Sequence, residues 1–184
     1  MARLPYLSDE EVAALPIGDH AKSINLYRIL GHSPGLAQAF NGLGRYIRWD
    51  SKCDPRLREL AILQVGYLAR SPYEWSHHIK IAKQSFGVSD DDIHGLIAET
   101  EGRSGDIEPL AKLVCRGARE MTADLRMSNE TFAALADAMD REALLDLVAT
   151  IGFYNCVVRV LATTDMDVEP DYQPYLDQFP LPEA

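Results

Sequence analysis

Residues 54–87 read DPRLRELAILQVGYLARSPYEWSHHIKIAKQSFG, and two helix starts are written into them. Asp54-Pro55 places a capping carboxylate before a proline at the first helical position, where the missing N–H costs nothing. The helix that follows, 55–70, is apolar on almost every side: Leu57, Leu60, Ala61, Ile62, Leu63, Val65 and Leu68 leave no solvent face. Such a helix belongs at the centre of a bundle. Ser71-Pro72 repeats the start signal, and Glu74 stands three residues after Ser71, the spacing of a capping box. Gly87 ends this second helix as a left-handed terminator. With a joint only at Arg70-Ser71, the two pack as a tight antiparallel hairpin.

The same signals extend outward. Ser8-Asp9-Glu10-Glu11 opens a short helix that Pro16 stops, residues 21–31 form a second, and Pro34 starts a third that runs to about Trp49. Ser89 with three aspartates caps another helix, the acids complementing its dipole. After a Gly102–Gly105 loop, helices are expected over 107–125, 129–139 and 141–163, the last two capped by Ser128 and Asp140. No alternating strand pattern, glycine-rich phosphate loop or low-complexity segment interrupts them. The reading is all-α, one domain over 1–184: N-terminal helices in 1–50, a central region in 54–100, C-terminal helices in 106–164. The tail 165–184 carries Pro170, Pro174, Pro180 and Pro182 with no helical period, and is expected to lie extended over the body or over a neighbouring subunit.

Composition bounds the function. A chain of 184 residues with 47% hydrophobic residues is too apolar for disorder. A formal net charge of −10 argues against nucleic-acid or anionic-membrane partners. The N-terminus does not read as a signal peptide, and no stretch approaches the roughly 20 uninterrupted apolar residues of a span. A cytoplasmic location is the default expectation. Cys53, Cys115 and Cys156 are odd in number and far apart, with no C-x-x-C and no zinc spacing, so neither a disulfide framework nor a metal site is expected.

The informative polar residues sit in the apolar centre. Glu59 is on the all-round apolar helix; Tyr73, Glu74, Trp75, His77 and His78 crowd the first turns of the next. Glu74 and His78 are four apart and share a face. A carboxylate beside a histidine raises the imidazole pKa and orients the ring, which suits acid/base work. Each also has a plainer role. Glu74 can be a capping acid, Glu59 a first-turn acid beside Arg56 or Arg58, and Tyr73 and Trp75 packing residues. His77 and His78 can be one core and one solvated histidine; adjacent helical residues point about 100° apart, so they are awkward co-ligands for one metal. His20, His32 and His94 have no partner at ligand spacing.

The run Arg58-Glu59-Leu60-Ala61-Ile62-Leu63, then Tyr73-Glu74-Trp75-Ser76-His77-His78, Ile81-Ala82 and Gly87, resembles the core signature of the carboxymuconolactone decarboxylase family, which shares the alkylhydroperoxidase D-like fold. Gly152-Phe153-Tyr154-Asn155 fits the same branch. In the family's peroxidase branch the motif is a glutamate, eleven residues, a cysteine, two residues, a second cysteine, three residues and a histidine. Laid on this chain the glutamate is Glu59 and the histidine His78, while the cysteine positions hold Ser71 and Glu74. A hydroxyl and a carboxylate cannot cycle through a disulfide, so thiol peroxidase chemistry is expected to be absent. The resemblance then implies the thiol-free decarboxylase side: a cofactor-free lyase acting on a small carboxylated or lactone substrate. His78 moves the proton, Glu59 or Glu74 orients it, and Tyr73, Trp75 and Ser71 contact substrate. Arg45, Arg48 or Arg70 holds the substrate carboxylate. It also implies self-association as a dimer, trimer or hexamer. The alternatives are a peroxidase-related protein that binds a small molecule without turnover, or a scaffold. Glu59 and His78 are expected to face one partly buried polar pocket with Glu74 at its edge, their axial offset of about 7–8 Å leaving room for a bridging water or a bound substrate.

Overall fold

The computed structural model describes residues 2–22 and 24–182, and every described element is helical. Met1, Ser23 and residues 183–184, which the domain, second-helix and tail expectations include, lie outside the described residues. The hairpin organises everything else. Asp54 caps α5 (Pro55–Leu68) by accepting from the backbone N–H groups of Arg56 and Leu57, and Ser71 caps α6 (Pro72–Ser85) by accepting from Glu74 N. Leu60, Ala61, Ile62, Leu63 and Val65 are fully buried, as an all-round apolar helix requires. Around α5 pack α6, α7 (Asp90–Thr100), α8 (Pro109–Ala123) and α10 (Arg141–Thr164), while α9 (Asn129–Ala138) braces α8 and α10. Gly66 makes the hairpin tight: a Cβ there would sit 3.3 Å from Trp75 N and 3.4 Å from Glu74 Cγ, so a side chain would push the start of α6 off α5. Gly87, at φ +74°, turns the chain just beyond α6, where glycine carries no steric penalty.

The N-terminal part holds α1 (Asp9–Ala13), α2 (Asp19–Lys22), α3 (Asn25–Leu30) and α4 (Pro34–Trp49). The single helix expected over 21–31 is two short ones, α2 and α3, and Ile24, extended at ψ 148°, caps α3 without a side-chain bond. By length and composition α10 matches a membrane span, with 24 residues and a mean hydropathy of 1.6, yet half of its apolar window is buried inside the bundle. Asp146 and Arg159 interrupt the run, which is why no uninterrupted apolar stretch is visible in the sequence.

The tail corrects the expectation of an extended segment. A 3-10 turn at Pro170–Tyr172 leads into α11 (Gln173–Gln178), with Pro174 in its first turn, where proline is tolerated. The tail does lie over the body. Trp75 Nε1 donates to the Phe179 carbonyl at 2.7 Å, Phe179 is 1% exposed, and the Tyr172 ring stacks on His77.

Candidate functional site

Helix α6 presents two polar faces about 100° apart, and the structure separates them. Tyr73 and His77 look outward to the tail; Glu74 and His78 look inward. His77 lies between the Tyr73 and Tyr172 rings, 4.0 and 3.5 Å centre to centre, and donates from Nδ1 to the Tyr73 carbonyl at 2.8 Å. Its Nε2 is 3.1 Å from Glu169 Oε2. The Tyr73 hydroxyl donates to Glu169 Oε1 and accepts from Leu26 N, both at 3.0 Å. Trp75 is fully buried under Phe179 with its ring against Tyr67. The expectation that Tyr73 and Trp75 line a pocket with His78 is therefore revised: the tail engages both. Ser71 is buried and serves as the cap of α6, its hydroxyl accepting from Glu74 N at 3.4 Å.

On the inner face, Glu59, Glu74 and His78 meet. His78 Nδ1 donates to Glu59 Oε2 at 2.7 Å, and Nε2 lies 3.1 Å from Glu74 Oε1, close but without hydrogen-bond alignment. The Glu59–His78 contact is direct, where the axial offset left room for a bridging water or a bound substrate. Counted from the helix ends, Leu68 and Pro72, the two residues differ by only three positions, about 4.5 Å, and the long side chains cover that distance. Glu74 completes no reciprocal capping bond to Ser71 N, because that N–H donates to the Gly66 carbonyl. Its carboxylate is thus free to turn inward.

Three further residues complete the cluster. Arg58, 1% exposed, donates from Nε and a terminal nitrogen to Glu59 Oε1, both at 3.2 Å, and its guanidinium lies 4.4 Å from the Phe86 ring centre. Tyr154 of α10 sets its ring edge-on to His78, centroids 4.9 Å apart. Arg48 of α4 lies within electrostatic reach of Tyr154, Glu59 and Glu74. Of the three arginines that the sequence could not separate, Arg45 and Arg70 are exposed and only Arg48 reaches the cluster. The signal for Tyr154 was a buried tyrosine on an apolar helix, whose hydroxyl needs a partner. Among the described residues, no group of three or more His, Cys, Asp or Glu side chains is arranged to hold a metal.

Residues 34–108, which hold Arg48, Glu59, Glu74 and His78, match the carboxymuconolactone decarboxylase family. The whole fold is shared with solved structures of low identity. One is the debrominase Bmp8, crystallised with 2,3,4-tribromopyrrole: 21% identical, TM-score 0.74, covering 92% of this chain and 86% of that one. A second is an alkylhydroperoxidase AhpD core, an uncharacterized peroxidase-related protein from Ralstonia eutropha JMP134, 19% identical with a TM-score of 0.71 and 95% of each chain covered. A third, an uncharacterized peroxidase-related protein from Silicibacter sp. TM1040, is 17% identical with a TM-score of 0.73 and 93% of each covered. No curated protein matches the chain in sequence.

Electrostatics within the matched segment favour protons near neutral pH. Burial pushes the Glu74 carboxyl up to about 7, with Glu59 adding to the rise and His78 and Arg48 opposing it. Burial disfavours the charged His78 ring, but Glu74, Glu59 and the hydrogen bond to Glu59 outweigh it, so its pKa is raised. Both shifts are upward, so the folded chain binds these protons more tightly than the unfolded chain. Glu74's contribution is complete below pH 4.5 and is lost as pH rises through about 7; that of His78 is complete below 6.5 and is lost above its folded value. Urea unfolding at pH 5 and pH 8 is expected to show the parent losing on the order of 3 kcal/mol relative to Glu74→Gln. Carboxylates held low, such as Asp92, Glu108 and Glu120, act in the opposite sense only below this range and are common to both proteins. Equal pH dependence in parent and variant would contradict the assignment.

Proposed function

We propose that this chain is a thiol-independent acid/base enzyme, a cofactor-free lyase of the decarboxylase type acting on a small carboxylated or lactone substrate. The observation that carries the reading is His78, buried between two carboxylates, with Nδ1 anchored by Glu59 and Nε2 facing Glu74. Glu59 fixes the ring and its tautomer; Glu74, pushed up to about 7, stores a proton at working pH. In the reaction that suits this arrangement, the bond to the leaving carboxylate breaks and its electron pair enters an unsaturated carbonyl system of the substrate. Carbon dioxide departs, and His78 Nε2, resupplied from Glu74, delivers a proton to the carbanionic carbon. Solvent then restores the lost proton. The test is to incubate the protein with β-keto acids and carboxylated lactones in deuterium oxide and to follow carbon dioxide release and deuterium incorporation. Turnover by the parent that His78→Gln lacks supports the reading, and turnover that survives in His78→Gln refutes it.

Thiol chemistry forms no part of this proposal. Burial pushes the Cys53 and Cys115 thiols up to about 12, and Cys156 is exposed without a second thiol at the redox spacing. With dithiothreitol and hydrogen peroxide, the parent and the Cys53→Ser/Cys115→Ser/Cys156→Ser protein are expected to consume peroxide at the same background rate. A robust peroxide loss that disappears in the triple variant would overturn this.

One observation favours a second reading, small-molecule binding or scaffolding without turnover. His78 is only 8% exposed and Glu59 is fully buried, so the cluster is well packed. Ligand binding without carbon dioxide release or deuterium incorporation would select this second reading.

A further inference from the structure

His77 is the histidine of α6 that the acid/base cluster does not use, and it is the point at which the tail is fastened. Its two ring nitrogens meet acceptors only. Nδ1 is 2.8 Å from the Tyr73 carbonyl, which can only accept, so Nδ1 carries a proton. Nε2 is 3.1 Å from Glu169 Oε2, and among the described residues neither atom has another hydrogen-bond partner. Glu169 is ionised: burial raises its carboxyl, but the bonds from His77 and from the Asn25 backbone outweigh that and hold it below the usual glutamate range. A carboxylate set against the bare lone pair of a neutral imidazole is repelled, and here little water reaches either group. The docked arrangement is satisfied only when Nε2 holds a proton as well, so that the ring is an imidazolium.

The surroundings suit a cation. The ring lies between those of Tyr73 and Tyr172, tilted by only 10° and 13°, so both its faces meet π-electrons. The titratable and charged groups around it, among the described residues, are Tyr73 and Lys80 on α6 and Glu169, Asp171 and Tyr172 on the tail. Lys80, whose Nζ is 4.4 Å from the Tyr172 ring centre, opposes a positive ring, whereas Glu169 in direct contact favours it. From α3 come only main-chain N–H groups. Glu169 Oε1 accepts from Asn25 N at 2.6 Å and so caps α3, which Ile24 at the cap position cannot do. The same carboxylate thus ties the tail to α3 and α6 at once. The tail's second fastening, Trp75 Nε1 on the Phe179 carbonyl, involves no titratable group.

We propose that residues 167–179 form a proton-latched strap on α6: with both nitrogens of His77 protonated the strap is closed over Tyr73 and His77, and loss of the Nε2 proton opens it from the Glu169 end. Because closing retains a proton, the strap is stable at low pH and loosens as pH rises through the imidazole range. The latch lies on the outer face of α6 and stands apart from the acid/base reading of the inner face.

Hydrogen exchange of the full chain at pH 5.5 and pH 8.5, corrected for the intrinsic pH dependence of exchange, tests this. Protection of Asn25 and of residues 167–178 in the parent should fall by roughly tenfold at pH 8.5, as linkage to one proton allows, beyond any change in α5. His77→Gln keeps a donor for Glu169 but no titratable proton, and should show no such fall. Glu74 and His78 are present in that variant too, so their own titration cancels. Glu169→Gln gives the sharper result. Its amide still accepts from Asn25 N and donates to Nε2 only when that nitrogen is bare, so protection should be higher at pH 8.5 than at pH 5.5. Equal tail protection at both pH values in the parent, a fall that persists in His77→Gln, or a Glu169→Gln protein that loosens with rising pH as the parent does would overturn the proposal. If these variants fail to fold, Tyr172→Leu, which removes one π face and no charge, should bring tail protection at pH 5.5 down toward the parent's value at pH 8.5, and unchanged protection there refutes the latch.

Discussion

Glu59→Ala is expected to lower the stability of the fold by about 3–5 kcal/mol, the cost of breaking a buried ion pair from one side. Glu59 is fully buried, and the Arg58 side chain beside it is 2% exposed. The loss has two sources. Removing the carboxylate leaves Arg58 charged at a site where water cannot replace the missing oxygen, and the stacking of its guanidinium on Phe86 offsets only part of that. It also strips His78 Nδ1 of its acceptor. For a chain of this length, about 1 kcal/mol moves the melting temperature by 2–4 °C, so a drop of roughly 10 °C or more should appear in a thermal scan. The double change Arg58→Met/Glu59→Leu should cost far less than the sum of the singles, because it removes the stranded charge together with its partner. Additive losses in that cycle, or a Glu59→Ala protein within about 1 kcal/mol of the parent, would show that the pair is not what holds this part of the core.

How much of this was legible beforehand depended on whether the controlling chemistry was local. Asp54-Pro55 and Ser71-Pro72 fix the starts of α5 and α6 to the residue, because an N-cap oxygen and a proline at the first position act within one turn. The meeting of Glu59 with His78 was legible from helix geometry joined to the family resemblance. The directness of the contact was not, since it depends on where the helices end rather than on where the chain turns. Trp75 was misplaced for a related reason. Both the tail side and the core side of α6 are buried, so periodicity distinguishes its faces without saying which of them the tail covers. The tail misled through its prolines: Pro170 and Pro174 each stand in the first turn of a helical segment, where they initiate rather than break. Arg45, Arg48 and Arg70 look alike in sequence. Only the packing of α4 near α10, which places Arg48 at Tyr154, separates them, and no local rule reports on such a tertiary contact.

The largest functional effect is expected at His78. His78→Gln should reduce turnover by roughly 10²–10⁴-fold, the range that a positioned proton donor contributes, while the binding of substrate changes little. Glutamine is the informative replacement, because its amide can still donate to Glu59 Oε2 and fill the space beside Tyr154, so the helical fold should survive. What it cannot do is carry a titratable proton. The pH dependence gives a second, independent signature. A step that delivers a proton needs the donor loaded, so turnover by the parent should decline as pH rises through about 7, where Glu74 empties, and further as His78 loses its own proton. In Glu74→Gln, His78 keeps its burial but loses Glu74, the foremost of the influences that raise it, so the descending limb should move to lower pH. A purely structural histidine would not couple the position of that limb to residue 74. Rates for Glu74→Gln that track the parent across pH 5 to 8, or a folded His78→Gln protein within about threefold of parental turnover, would end the assignment of His78 as the proton donor.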